Sequence, residues 1–198
     1  LKDPNAYNPE RSKQLLAEDG WKDTDGDGIL DKDGKPLTFD FVVYNSRAEL
    51  PLYAEAVQAD LKKVGIDMKI KTVDYNLIDK MGQDGDYDML ISNIVTANTG
   101  DPIWFLANYW HTNVDGSNPQ NGSGYSNPQV DQLLDAAETE FDPAKRRDYA
   151  IQIQQLLMND GAALFLGYPK TNIVTGSYLK GAVMYPSDYY WITNKITK

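Results

Sequence analysis

The sequence predicts an α/β domain, a mixed sheet flanked by helices, and three observations carry that prediction. Helical and strand periodicities alternate along the chain, so crossovers can lay helices over a sheet. Three helix starts carry the same punctuation, an acceptor residue followed by proline: Asn8-Pro9, Asn127-Pro128 and Asp142-Pro143. Glycines then stand where the apolar periodicity stops, as at Gly20, Gly65 and Gly161.

Taken in order, the first helix runs from Pro9 to Asp19 with Leu15 and Leu16 facing inward, and Gly20 ends it. Lys35 to Tyr44 reads as a strand, because Leu37 to Tyr44 is an apolar and β-branched run. Tyr53, Val57, Leu61 and Val64 recur at helical spacing from Pro51 to Val64. Ile66, Met68 and Ile70 alternate with Asp67, Lys69 and Lys71, the period of a half-buried strand. A short helix from Asn76 to Met81 leads to a third strand, Tyr87 to Val95, apolar enough for a buried position. Thr96 to Gly124 is long, aromatic and rich in Asn, Gly and Pro, the profile of a functional loop. Helices from Pro128 to Glu140 and Pro143 to Asp160 follow, the second with Ala150, Ile151, Ile153, Leu156 and Leu157 on a wide apolar face. Ala162 to Tyr168 reads as another buried strand, and the tail from Ala182 to Lys198, with Tyr189-Tyr190-Trp191, has no evident partner element.

Composition narrows the function. At 198 residues the chain can bury one good-sized core. Its 19 basic and 29 acidic residues give a formal charge of -10, which disfavours nucleic acid and anionic membrane surfaces as partners. With no cysteine and a single histidine, His111, thiol chemistry, zinc clusters and most Ser-His arrangements fall away. No apolar run reaches the roughly 20 residues that span a bilayer, and Leu1-Lys2-Asp3-Pro4 carries no signal-peptide pattern.

Two segments could carry chemistry. Asp23-Thr24-Asp25-Gly26-Asp27-Gly28-Ile29-Leu30-Asp31 has the opening of a calcium loop: carboxylates at positions 1, 3, 5 and 9, glycine at 6 and the Ile29 carbonyl at 7. Position 12 is Gly34, where a bidentate glutamate would complete the cage, so the alternative is an acidic, glycine-rich turn. The second segment is the strand end and loop from Val95 to His111, because ligands of α/β folds lie beyond the carboxyl ends of strands. There Trp104, Phe105, Tyr109 and Trp110 offer flat apolar area for a solute, or form the core-facing side of a short amphipathic helix.

Several phrases together resemble the family 5 extracellular solute-binding proteins, the peptide and nickel importer group. They are Tyr7-Asn8-Pro9-Glu10 with Lys13-Gln14-Leu15-Leu16 and Gly20-Trp21, then Asp23 to Gly28 with Asp33-Gly34-Lys35-Pro36-Leu37. Ala56 to Ile66, Asp86-Tyr87-Asp88-Met89, Gly124 to Pro128 and Val130 to Leu134 follow in the family's order, over about residues 7 to 180. The resemblance implies a periplasmic-binding-protein-like lobe. It implies that residues 1–181 are the C-terminal ligand-binding lobe of a two-lobed protein, with 182–198 a tail packing on an N-terminal lobe that is absent, as are a signal sequence and any lipid anchor. It also implies capture of an oligopeptide, dipeptide or related solute for an ABC permease, by a monomer in the periplasm or anchored to a Gram-positive surface, with no enzymatic activity.

On the same resemblance the candidate ligand-binding residues are Thr96, Asn98, Asp101, Trp104, Trp110 and His111. Peptide-binding members place an aspartate for the ligand's ammonium where Asn98 stands, and a neutral amide forfeits that charge-assisted bond. Asp101 either substitutes for it or fixes the turn before Pro102. His111 corresponds in general location to a histidine of some nickel-binding members, but a lone imidazole otherwise reads as a hydrogen-bonded surface residue. No cofactor is required; calcium would be held by Asp23, Asp25, Asp27, Ile29 and Asp31. Two further function classes stay open: a calcium-dependent structural or adhesion module, and a hydrolase using paired carboxylates.

Overall fold

The computed structural model of the chain describes residues 1–96, 100–170, 172–184 and 192–198. Helix α1 spans Pro9–Glu18, and the Asn8 side chain accepts from Arg11 N at 3.0 Å, as the Asn-Pro signature requires. Its inward face is thinner than predicted: Leu16 is half-buried, but Leu15 is 48% exposed because α1 lies ahead of the sheet and buries none of its residues.

The predicted strand from Lys35 to Tyr44 divides in two. Strands β1 (Asp31–Lys32) and β2 (Lys35–Pro36) form an antiparallel hairpin, and β3 is Thr38–Tyr44. Leu37 is the switch between them: its N–H goes to Leu30 O of the hairpin (2.7 Å), while its carbonyl accepts from Asp67 N (3.0 Å) in the main sheet. Helix α2 (Glu49–Lys62) crosses over to β4 (Asp67–Val73), which pairs in parallel with β3 along its whole length. Gly65 makes that return possible. Its φ is +85°, and a Cβ there would lie 2.6 Å from Leu30 Cγ.

A 3-10 turn (Tyr75–Leu77) and α3 (Ile78–Asp84) lead to β5 (Met89–Leu90), which also pairs in parallel with β3, so the sheet order is β4-β3-β5. The central strand is buried without interruption from Phe41 to Tyr44, whereas on β4 Met68 is buried and Lys69 and Lys71 are exposed. That difference is the mark of a strand covered on both faces beside one covered on a single face. The third strand is shorter than Tyr87 to Val95: only Met89–Leu90 keeps strand pairing, because Ile91 makes its last bond to Val42 O (3.1 Å) before the chain turns outward.

Helices α4 (Pro102–Trp110), α5 (Pro128–Thr139) and α6 (Pro143–Asn159) pack against one another. Val130, Leu134, Ile153 and Leu157 fill their centre, while Ile151 of the predicted apolar face stays exposed. The single core expected from chain length is therefore two clusters, one on the sheet and one among α4, α5 and α6. The strand predicted over Ala162 to Tyr168 does not form. Leu164 is 68% and Tyr168 85% exposed, and the segment pairs with neither open edge of the sheet, β4 or β5. Further on, Lys180 and Thr197 exchange two backbone hydrogen bonds (2.8 and 3.1 Å), folding the tail back on itself. Tyr189-Tyr190-Trp191 lies outside the described residues.

Candidate functional site

Between the two clusters lies a cleft of about 940 Å³. Its floor is the exit of β5, Met89 to Ile94, with Thr96 beyond it; Phe105, Tyr109 and Trp110 of α4 form one wall. Tyr53 and Glu49 of α2, Asp79 of α3 and the irregular segment 161–169 also line the cleft. Because the three strands are parallel, all of them end at this edge, and the helices that follow β3 and β4 begin there.

Polar contacts hold the floor in place. Asn93 N donates to Tyr44 OH (3.1 Å) and Asn93 Nδ2 to Glu49 Oε1 (3.3 Å), linking the ends of β5, β3 and α2. Opposite them, the Tyr87 hydroxyl donates to Gly122 O (2.5 Å), while Gly122 lies so close to Gly82 of α3 that an added Cβ would sit 3.0 Å from Gly82 Cα. The loop that carries Gly122 is anchored by Asn121, only 3% exposed, whose Nδ2 donates to His111 O (3.0 Å) and Tyr125 O (2.8 Å). This long loop is thus pinned from inside, as buried amides must be. Burial raises the Tyr87 hydroxyl, and burial, then the Asp79 carboxylate, then Tyr75 raise that of Tyr109.

The predicted ligand residues separate onto three faces. Thr96 and Trp110 line the cleft; Trp110 is 7% exposed, stands edge-on to Tyr125 with ring centroids 5.8 Å apart, and its buried Nε1 has no partner among the described residues. Asp101 and Trp104 lie on another face of α4, beside Asn108, Glu138 and Arg146. Asp101 caps α4 by accepting from Ile103 N (2.9 Å) and pairs with the Arg146 guanidinium. Nη1 of the same guanidinium donates to Ala137 O (2.5 Å) and Glu140 O (2.9 Å) at the end of α5. His111 turns toward α5: Nε2 is 3.2 Å from Asp135 Oδ1 and Nδ1 is 3.3 Å from Thr112 O. Asn98 lies outside the described residues.

In the acidic loop the carboxylate oxygens of Asp23, Asp25 and Asp27 come within 4.8 Å of one another. Asp23 accepts from Gly26 N (2.7 Å) and Gly28 N (3.0 Å), and Asp27 from Ile29 N (2.7 Å). Asp31 Oδ2 instead accepts from Thr24 N (3.1 Å) and Thr24 Oγ1 (2.9 Å). The donor set is three hard carboxylates on one turn, which suits calcium rather than a transition metal.

Sequence reasoning missed Glu49, Asp79, Asn93 and Asn121. Glu49 and Asp79 had a signal in principle, since each follows a predicted strand, whereas Asn93 falls inside the strand predicted over Tyr87 to Val95, which in the structure ends at Leu90. Only knowledge that the strands run parallel brings the three strand ends to one edge.

The profile described as Bacterial extracellular solute-binding proteins, family 5 Middle, matches residues 1–117. The oligopeptide-binding protein AppA of Bacillus subtilis (strain 168) is 31% identical over 187 residues, covering 91% of this chain and 33% of AppA. The probable D,D-dipeptide-binding periplasmic protein DdpA of Escherichia coli (strain K12) is 32% identical over 154 residues, 77% of this chain and 29% of DdpA. The solved structure of Bacillus subtilis AppA in complex with a nonapeptide superposes with a TM-score of 0.81 at 29% identity, over 96% of this chain and 37% of that one. The chain therefore spans about a third of the length of the curated relatives it matches.

Proposed function

The chain belongs to the family 5 bacterial extracellular solute-binding proteins, and from that premise we propose that it captures a peptide or related small solute for import by an ABC permease. The observation that carries this reading is the 940 Å³ cleft at the carboxyl edge of a parallel sheet, open between two separately packed cores. The family is one of transport proteins rather than enzymes, and the cleft asks nothing of its residues beyond shape, ring faces and hydrogen bonds.

Residues 1–181 act as one lobe, closing as a monomer with a second lobe outside the cytoplasm, free in the periplasm or held at a cell surface by lipid. Residues 182–198 pack on that second lobe. Exposed apolar side chains after α6, among them Phe165, Tyr168, Val174 and Ile192, support such a covering surface. No described helix is long and apolar enough to cross a membrane. Mass spectrometry of solutes that co-purify with the intact protein tests the function: peptides or small chelates retained in stoichiometric amount support it, and an empty protein that binds none of them in calorimetry refutes it.

The three gathered carboxylates favour a second, structural reading: a calcium ion on Asp23, Asp25 and Asp27 that stiffens the turn ahead of the β1–β2 hairpin. Calcium would then raise the melting temperature of the wild type but not of Asp25→Asn.

A further inference from the structure

The charges on the cleft are of one sign. Glu49, Asp79 and Asp88 line it, and among the described residues no Lys, Arg or His does. Residues 97–99, 171 and 185–191 contain no basic side chain that could alter this. Asp88 is engaged at the amino ends of the strands, where its Oδ2 accepts from Asp40 N (2.7 Å). Glu49 and Asp79 lie at the opposite, carboxyl end: they stand in the first turns of α2 and α3, and the register of Tyr44 with Val73 brings the preceding strand ends level.

Neither carboxylate has an ion-pair partner among the described residues, although Asp19, Asp40, Asp60, Asp67 and Asp84 each have a lysine. Asn93 holds Glu49 through Oε1 alone. Around them stand aromatic rings: Phe105 and Tyr109, tilted with centroids 5.2 Å apart, line the cleft, and Tyr75 stands edge-on to Tyr44 at 5.1 Å. Asp79 and Tyr109 line the same cleft, and the Asp79 carboxylate helps raise the Tyr109 hydroxyl. Trp110 also lines the cleft, and its buried Nε1 is a donor without an acceptor among the described residues.

We propose that this cleft receives a positively charged organic group of the solute, an ammonium or guanidinium, between Glu49 and Asp79 and against the rings of Phe105 and Tyr109, so that the protein selects cationic over anionic solutes. The inference rests on solute capture as the function. Two carboxylates supply charge-assisted hydrogen bonds to such a group, and the ring faces attract it. An anion would meet like charges instead, a repulsion that weakens as salt is added because Asp79 is exposed.

Calorimetry of the intact protein with the N-acetylated tripeptides Ala-Lys-Ala, Ala-Gln-Ala and Ala-Glu-Ala, in which a side chain is the sole cation on offer, tests this. The lysine peptide should bind on the order of tenfold tighter than the glutamate peptide. The double variant Glu49→Gln, Asp79→Asn should lose most of that preference while retaining the glutamine peptide, and Asp79→Asn alone, an exposed change that leaves the fold intact, should lose part of it. Equal affinity for the three peptides, tighter binding of the glutamate peptide, or a preference unchanged in both variants overturns the assignment and leaves solute capture standing. Failure of all three peptides to bind the wild type removes solute capture and this inference together.

Discussion

Protonated His111 joins the end of α4 to α5. Its partial burial works against the charge, but the Thr112 carbonyl, Asp135 and Asp131 outweigh that and raise its pKa above the ordinary 6.5. A raised value means that the stabilisation is complete below pH 6.5 and is lost as the pH climbs through the folded-state value. Thermal unfolding should therefore show His111→Asn costing more at about pH 5.5 than at about pH 8, by no more than about 1 kcal/mol because the pair is partly exposed. Arg146 acts more strongly: its guanidinium pairs with the α4 cap Asp101 and ends α5 through two carbonyls. Arg146→Ala should cost about 2 to 3 kcal/mol in chemical denaturation, and Arg146→Lys should recover little, because an ammonium cannot reproduce the fork. The caps at Asn127 and Asp142 were legible, since their partners are two residues away. The role of Arg146 was not, since Asp101 is 45 residues distant.

Among the elements, the tightest fit is α3 against the loop after α4. Gly122→Ala should destabilise the protein by about 1 to 3 kcal/mol, because the new methyl meets the Gly82 backbone at 3.0 Å. Gly82→Ala meets Gly122 Cα at 3.5 Å, an ordinary contact, and gains helix propensity, so it should be neutral or stabilising in the same measurement. Segment 162–168 shows how a strand-like pattern is overruled. Its apolar run has strand propensity, yet the segment docks on neither open edge of the sheet, and propensity alone does not make a strand. Hydrogen exchange should find amides 162–168 fast and those of β3 the slowest in the chain, with the order reversed only if the segment pairs. The helices from Pro9, Pro128 and Pro143 and the strands β3 and β4 followed from period and punctuation, and they end within a few residues of the predicted bounds. The single strand from Lys35 to Tyr44 did not, because Leu37 changes partners in mid-run.

At the scale of the whole molecule the cleft has one built side, and the 198-residue chain by itself should bind solute far more weakly than a protein that closes a second lobe over it. Calorimetry on both forms checks this, and equal affinity would count against a two-lobed clamp. What the sequence determined alone was local: where helices start and stop, which residues alternate, and that Asp23, Asp25 and Asp27 share a turn, all consequences of backbone sterics and neighbouring side chains. What only the tertiary structure decided was that β5 lies beside β3, that α4, α5 and α6 form a core of their own, and that Glu49, Asp79, Asn93 and Tyr109 line one cleft. Those choices depend on contacts between residues far apart in the chain, whose free energies take effect only once the elements have packed.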